Sequence, residues 1–577
     1  MKPVGVVLSI LLIAVCAVLA VDDVCFADDV SAVYYVAPAG EMGDGTRQNP
    51  WVGVEKIAAG DYSDNEKVAV YLLPGIYRID SNISFEIDGE LDIVGQDGVV
   101  FDFSENGGII ISGKVRFSGL SVRADGVDAP LFYISEAHDC VFDNIAFLQT
   151  ERDVFCFDKG VSDCSVTNCA FSYISGHCIY VEGVNCDKRD EQANKGITIS
   201  ENLFENYGGN VAKEAIKIKY AYNTEISNNE FKNASAGAVY VGAGLGEENC
   251  LTYKCKILNN LIHDLYSTDA IAVSALYLDG IQNDSRIYQN VIYNIGKAAE
   301  EGIGIQMGKK ASYVTVEKNL VFDCSAYGYR IDDGKDNQIK SNVFALNKRG
   351  QIYLGESVDL FANGHYQHNI YLSDNAPVYV YMMSFVHFTD YSNVFWDVEL
   401  KDKVYSCVYD NGDQSMTAAT AKRKKLFDSP TVADPLFENV TERDFTLAVN
   451  SPCKKTGFVA WDYTAAGRTD GEKYGSGKVW GAEMKASSSG GSKTIYYLIG
   501  AVIGVAICGG VTVMLIKRRR SKAKKKDVPV AKPEKSIEEM VNEILEKKRA
   551  EEAAKAKPPA PDEPEKGQAD DKIESAE

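Results

Sequence analysis

Along most of this chain, apolar residues alternate with polar ones in short runs, and Gly, Asn or Asp closes each run. The stretch Ser312–Gly334, SYVTVEKNLVFDCSAYGYRIDDG, shows the pattern. Alternation at period two between turn residues predicts strands of about three to five residues, each with one face buried.

These strands come in a repeat. Asparagines at 144, 168, 202, 229, 260, 290, 319, 342, 369 and 393 are each followed by apolar or aromatic residues, as in NIAF, NCAF, NLF, NEF, NLI, NVI, NLVF, NVF, NIY and NVFW. The intervals are 24, 34, 27, 31, 30, 29, 23, 27 and 24 residues. Self-similarity at this period predicts a solenoid. A repeat made only of strands closes no core alone and must stack on its neighbours. The expected fold is therefore all-β, a parallel β-helix in which each repeat is one coil and like strands pair about 4.8 Å apart. Edges then survive only at the two ends. A β-propeller needs four strands per blade, more than these repeats hold. Asparagine suits the corners twice over: it tolerates the left-handed conformation, and its amide bonds to its counterpart one coil away.

The two ends read differently. Lys2, an apolar run from Val4 to Ala20, and small residues at Ala20 and Ala27 predict a secretory signal over residues 1–27. Residues 28–486 form the expected ectodomain, and 487–494, opening with SSSGGS, a flexible linker. Residues 495–516 hold 22 positions without a charge. At about 1.5 Å per residue they span a hydrocarbon core of roughly 30 Å. Lys517–Arg520 and the lysines at 522, 524, 525 and 526 place the following end inside. The tail, 517–577, holds one charged helical stretch, 536–556, with Ile537, Met540, Val541 and Ile544 at helical spacing. Four prolines between 558 and 564 end it, and the rest of the tail reads as disordered. The expected protein is single-pass in the cell membrane, with its solenoid outside and its tail in the cytoplasm.

Two stretches carry a family resemblance. Tyr34–Trp51 (YYVAPAGEMGDGTRQNPW), followed by Tyr71–Tyr77 (YLLPGIY), resembles the amino-terminal signature of secreted right-handed parallel β-helix proteins of the pectin-lyase-like superfamily. Asp434–Gly457 (DPLFENVTERDFTLAVNSPCKKTG) resembles their carboxy-terminal signature. The resemblance covers roughly residues 33–485. It implies a right-handed coil and a surface that binds or cleaves polysaccharide. It does not choose among activities, because one fold hosts many.

Charge and chemistry narrow the choice a little. A formal net charge of −22 makes a poor partner for nucleic acid, whose phosphates need cations, and suits neutral glycans, cations or solubility. Aligning coils on the glycines that end SALYLDG, GIGIQMG and YRIDDG puts Asp279, Met307 and Asp333 in one column. Asp279 and Asp333 are then two coils apart, about 9–10 Å by strand spacing. That is at the upper edge of the roughly 6.5–9.5 Å that inverting glycosidases use. Glu300 and Glu301 enter the intervening strand, and Asp332 neighbours Asp333. Some β-helix glycosidases resemble this region, with an acid before a GxIxxxG strand and a DDG turn one coil on. The resemblance implies Glu301, Asp332 and Asp333 as residues that exchange protons with substrate and water. The same carboxylates would suit Ca²⁺, and calcium-dependent polysaccharide lyases of this fold pair the ion with a basic residue; Arg330 is near. A third expectation is a surface adhesin or envelope protein with no catalysis. The NTD, GHG and RIK set of polygalacturonases is absent, and His177, in SGHCIY, reads as a corner or core residue. No cofactor is required by the binding, hydrolase or adhesin readings, and Ca²⁺ is possible.

Eleven cysteines fall in the expected ectodomain, six of them between Cys140 and Cys186. Stacked core thiols and one or two disulfides both fit this pattern.

Overall fold

In the computed structural model the described residues run from Val30 to Tyr474, apart from internal segments of which 243–251, 356–363 and 410–427 are the longest. They lie in one compact unit that ends at Gly481. The expected signal (1–27), span (495–516) and tail (517–577) lie outside the described residues. Among the described residues no helix is long and apolar enough to cross a membrane.

The chain winds as a coil with three parallel sheets. One turn shows the order: Glu301–Met307 lies in sheet 1, Thr315–Glu317 in sheet 2 and Leu320–Phe322 in sheet 3, and Tyr327–Ile331 returns to sheet 1. Like strands pair in register between coils, with Ile305 beside Tyr329, Val316 beside Ile339 and Val321 beside Phe344. Inward positions therefore stack into columns. Phe147, Phe171, Phe204 and Phe231 lie ring on ring, with centroids 4.9, 4.8 and 4.6 Å apart.

The amino-terminal coils depart from the expected short strands. Asn82–Gly95 and Gly108–Ala124 run for 14 and 17 residues. In the second, the chain turns its corner without leaving the sheet, because Gly113 and Gly119 take φ of 102° and 70° there.

The asparagine repeat resolves into two positions, not one. From Asn202 to Asn393 each asparagine is buried, and its Nδ2 donates to Oδ1 of the next at 2.9–3.1 Å. The same Oδ1 accepts the backbone N–H of the preceding asparagine, as from Asn260 to Asn290 at 3.0 Å. The left-handed corner belongs to the residue just before: Glu201, Asn228, Asn259, Gln289, Lys318, Ser341, His368 and Ser392 all have φ of 52–57°. Asn144 and Asn168 are that other residue, with φ of 53° each. Cys169, not Asn168, holds the ladder level, donating its N–H to Asn202 Oδ1 at 2.9 Å. A strained φ and a buried amide are thus divided between neighbours, because a side chain exposed at the corner cannot also reach along the core.

After the last coil the chain doubles back along the outside of sheet 3. Phe437–Asn439 and Asp444–Leu447 form an antiparallel hairpin, and Phe445, Cys453, Phe458 and Tyr463 pack on Leu261, Val291, Leu320, Val343 and Ile370. Arg443 forks onto Asp323, 120 residues earlier, at 2.6 and 3.0 Å. Thr469 reaches Glu201 at 2.6 and 2.9 Å. This strap removes the outer face of sheet 3 from solvent over those coils. A charged, forked and half-buried pair is worth about 2 kcal/mol. Arg443→Ala is expected to speed amide exchange in residues 434–474 several-fold with the far-ultraviolet circular dichroism unchanged. Exchange as slow as in the wild type would show that the clamp does not hold the strap.

Candidate functional site

With sheet 3 covered over the later coils, the outer faces of sheets 1 and 2 stay open, and the expected acids lie on or beside sheet 1. Its outward positions follow from the register: Tyr180, Lys217, Tyr240, Tyr277, Gln306 and Arg330 form one column, one residue per coil. The rings of Tyr240 and Tyr277 stack at 5.2 Å and 23°. The faces they turn to each other are covered, which leaves their edges to a ligand.

The next outward column, two residues on, corrects the expected alignment of acids. Leu278 pairs with Met307 and Met307 with Ile331, and the bonds Gly308 N–H to Leu278 O and Asp332 N–H to Met307 O carry the register forward. Asp279 is therefore level with Gly308 and Asp332. Met307 points into the core and is fully buried. Asp333 falls in the bend beyond the strand. The closing glycines were a misleading ruler, because YRIDDG carries one residue more between strand and glycine than SALYLDG does.

The structure separates the four predicted acids. Asp279 is only 2% exposed. Tyr240 donates to its Oδ2 at 2.8 Å, and its Oδ1 lies over Gly242, where a β-carbon would collide with it. Glu301 and Asp332 are brought together by Arg330, which reaches Glu301 Oε1 at 2.9 Å and Asp332 Oδ1 at 2.6 Å. Burial alone would lower the Arg330 guanidinium's pKa, but Asp332 and Glu301 offset this and raise it. Gln306 donates to the other Asp332 oxygen at 2.7 Å and accepts from Ser274 at 2.5 Å. Ser274, Gln306, Asp332, Arg330 and Glu301 thus form one continuous network. Ca²⁺ takes six to eight oxygen ligands. These residues do not fit it, because the guanidinium already occupies the space between Glu301 and Asp332. Among the described residues no group of three His, Cys, Asp or Glu side chains is placed to hold a metal. Glu300 lies outside the described residues.

Beside this network is a cleft of about 270 Å³ lined by Glu214, Ser235, Tyr240, Ser274, Tyr277 and Gln306 among others. None of the four predicted acids lines it; its carboxylate is Glu214. Tyr277 joins cleft and acids. Its hydroxyl lies over Gly308, between the levels of Asp279 and Asp332, where a β-carbon would collide with it. Burial, then the charges of Asp279 and Asp332, push its pKa up to about 12, so it remains a proton donor at neutral pH. Nothing in the SALYLDG pattern marks Tyr277, because its neighbours come from coils tens of residues away.

His177 is a corner residue, as expected. Its N–H meets Asp153 at 2.7 Å and its ring Nδ1 meets Glu214 O at 2.8 Å. Burial lowers its pKa and keeps the ring neutral.

Comparison with known proteins agrees with the architecture. The model of the right handed beta helix region matches residues 154–309 and 274–392. No curated protein sequence matches the chain. Among solved structures, one described as a glycoside hydrolase is 10% identical, with 54% of this chain and 95% of that chain covered and a TM-score of 0.43. PfbA, a surface adhesin of Streptococcus pneumoniae, is 14% identical, with 55% and 85% covered and a TM-score of 0.41. A mannuronic acid specific polysaccharide family 6 lyase from human gut microbiota is 14% identical, with 68% and 94% covered and a TM-score of 0.42. None of these carries an activity over to this chain. The in-register coils and the matched region make the chain a right-handed parallel β-helix repeat protein.

Proposed function

We propose that this protein is a cell-surface polysaccharide binder that seats a glycan along the outer face of sheet 1. The observation that carries the reading is the cleft between Glu214 and Gln306, walled by the stacked side chains of Tyr240 and Tyr277. Polar groups repeat there once per coil, about every 4.8 Å. A linear polymer of hydroxylated rings presents groups at a similar repeat, so successive sugars meet successive coils. Such a site selects by hydrogen bonds, since an unmet buried donor costs more than a lost apolar contact. The predicted signal and span, in this reading, keep the solenoid at the outside of the membrane.

Hydrolysis is the second reading. Asp279 and Asp332 stand two coils apart, about 9.6 Å by strand spacing, with Gly308 between them in their column and the Tyr277 hydroxyl over it. One carboxyl would give its proton to the leaving oxygen while the other draws a proton from water. The burial of Asp279 and the hold of Arg330 on Asp332 favour binding over this chemistry.

A glycan array on residues 28–486 tests the first reading, and product analysis of every bound glycan tests the second. Tyr277→Phe and Gln306→Ala are each expected to weaken binding about tenfold, the value of one hydrogen bond to a neutral partner. Binding of no glycan, or equal binding by both variants and the wild type, would sink the site.

A further inference from the structure

Eight buried cysteines among the described residues are free thiols. Most are isolated in apolar surroundings, and burial pushes the thiols of Cys169 and Cys255 up to about 12, where they are inert. Cys140 and Cys164 differ. They occupy the same corner position in adjacent coils: Ser165 N–H donates to Cys140 O at 2.8 Å, and Val141 pairs with Ser165. Equivalent residues of paired strands lie about 4.8 Å apart, inside the roughly 4.4–6.8 Å between Cα atoms that a disulfide spans. Both are buried. Each thiol is oriented by a carbonyl, Cys140 on Gly113 O at 3.2 Å and Cys164 on Ser162 O at 3.3 Å. The two sulfurs also lie within hydrogen-bonding reach of each other, and that contact lowers the pKa of Cys140 and raises that of Cys164.

Their place in the solenoid gives the pair a purpose. The asparagine ladder begins at Asn202. The coils of Asn144 and Asn168 lie before it, and their asparagines sit at the exposed corner. We propose that Cys140 and Cys164 are a modification site, oxidised to a disulfide that staples two adjacent coils between which no ladder asparagine runs. The Cys140 thiolate attacks a disulfide-bearing oxidant and forms a mixed disulfide. The Cys164 sulfur then displaces the oxidant's remaining thiol. The protein loses two electrons and two protons, and the oxidant leaves as two thiols. Because both sulfurs are buried, the exchange takes place while these coils assemble. The ring closed is 25 residues around, Cys140 through Cys164, long enough for the cross-link to remove much freedom from the unfolded chain. In the cell this rests on the proposed secretion, since disulfides persist in oxidising compartments.

The test uses the full chain, synthesised in vitro with detergent micelles and either glutathione disulfide or dithiothreitol. Free thiols are blocked with N-ethylmaleimide in denaturant, and tryptic peptides are sequenced by tandem mass spectrometry without reduction, which tells Cys164 from Cys169, Cys178 and Cys186 in the same peptide. Arg152 and Lys159 separate the two cysteines on cleavage. The expected result is one linked pair, Cys140 with Cys164, in the glutathione arm alone, and a higher Tm in that arm. Cys164→Ser should show the same Tm in both arms; if that variant does not fold, the wild-type peptide map decides by itself. N-ethylmaleimide on both cysteines in the glutathione arm overturns the proposal. A linked pair in vitro with free thiols in protein taken from native membranes would instead refute secretion and leave the pair standing.

Discussion

Asn290→Ala is expected to destabilise the solenoid by about 3–5 kcal/mol, more than most single substitutions cost. Asn290 Oδ1 accepts both the N–H and the side-chain amide of Asn260 at 3.0 Å. Its Nδ2 donates to Asn319 Oδ1 and to Ile257 O at 2.9 Å each. Alanine therefore strands a backbone donor, a backbone acceptor and two amide groups in a corner that water does not enter. Each orphan costs about 1–3 kcal/mol, and the losses are not independent, because every member of the ladder orients the next. In a solenoid such a defect falls on one interface between coils, so it can split the unfolding transition as well as lower it. Denaturant unfolding of residues 28–486, followed by circular dichroism, reads both effects. A midpoint within error of the wild type would show that the ladder is incidental to stability.

The second large effect depends on pH. Asp390 lies inside the solenoid, 4% exposed, and accepts from the Tyr379 hydroxyl. Tyr366 and Tyr371 share its surroundings. Burial raises its carboxyl to about 7, against the bonds from Tyr379 and Asn393, which lower it. In the unfolded chain the same group titrates near 3.9. Between those values the folded state holds a proton that the unfolded state has released. Stability therefore falls as pH rises through this window, by about 1.4 kcal/mol per unit, and levels off above about 7. The full contribution is on the order of 4 kcal/mol. Asp390→Asn keeps the size and polarity of the group and removes its titration. The variant is expected to match the wild type near pH 4.5 and to exceed it by about 3–4 kcal/mol at pH 8, read as the difference between the two at each pH so that other groups cancel. Parallel stability curves would show that Asp390 is ionised in the fold throughout.

The solenoid was legible from one residue type because each asparagine is the buried point at which successive coils hold together, and the period survives any change of surface. The coil order and short strands followed from the same pattern. The division of labour at each corner did not: in sequence, Asn168 looks like Asn202, yet one is exposed in the left-handed region and the other would be buried one step later. The candidate site was read less well. Glu301 and Asp332 were singled out, and the fold does bring them together, but through Arg330, which makes them a structural network. Asp279 and Asp333 were paired by a ruler one residue in error. Glu214, Tyr240, Tyr277 and Gln306 were missed, since a cleft gathers residues from several coils and leaves no local signature.

One feature of the repeat divides what the sequence determined from what the tertiary structure decided. After Asn260, Asn290, Asn319, Asn342, Asn369 and Asn393 two apolar residues follow in succession, as Leu261–Ile262 and Val343–Phe344 do. A strand with one face in solvent has no use for both. In every case the second fills the interior, and the first lies outside, under the strap. Earlier coils place a small or charged residue at that outer level at Ala170 and Glu230, and Leu203 between them stays half-buried outside the strap cluster. The sequence by itself determined the coil, because a period of two within strands and a buried asparagine between them need only neighbouring repeats to be satisfied. Only the tertiary structure decided which face is closed, because covering sheet 3 takes a segment about a hundred residues away that no neighbouring repeat supplies.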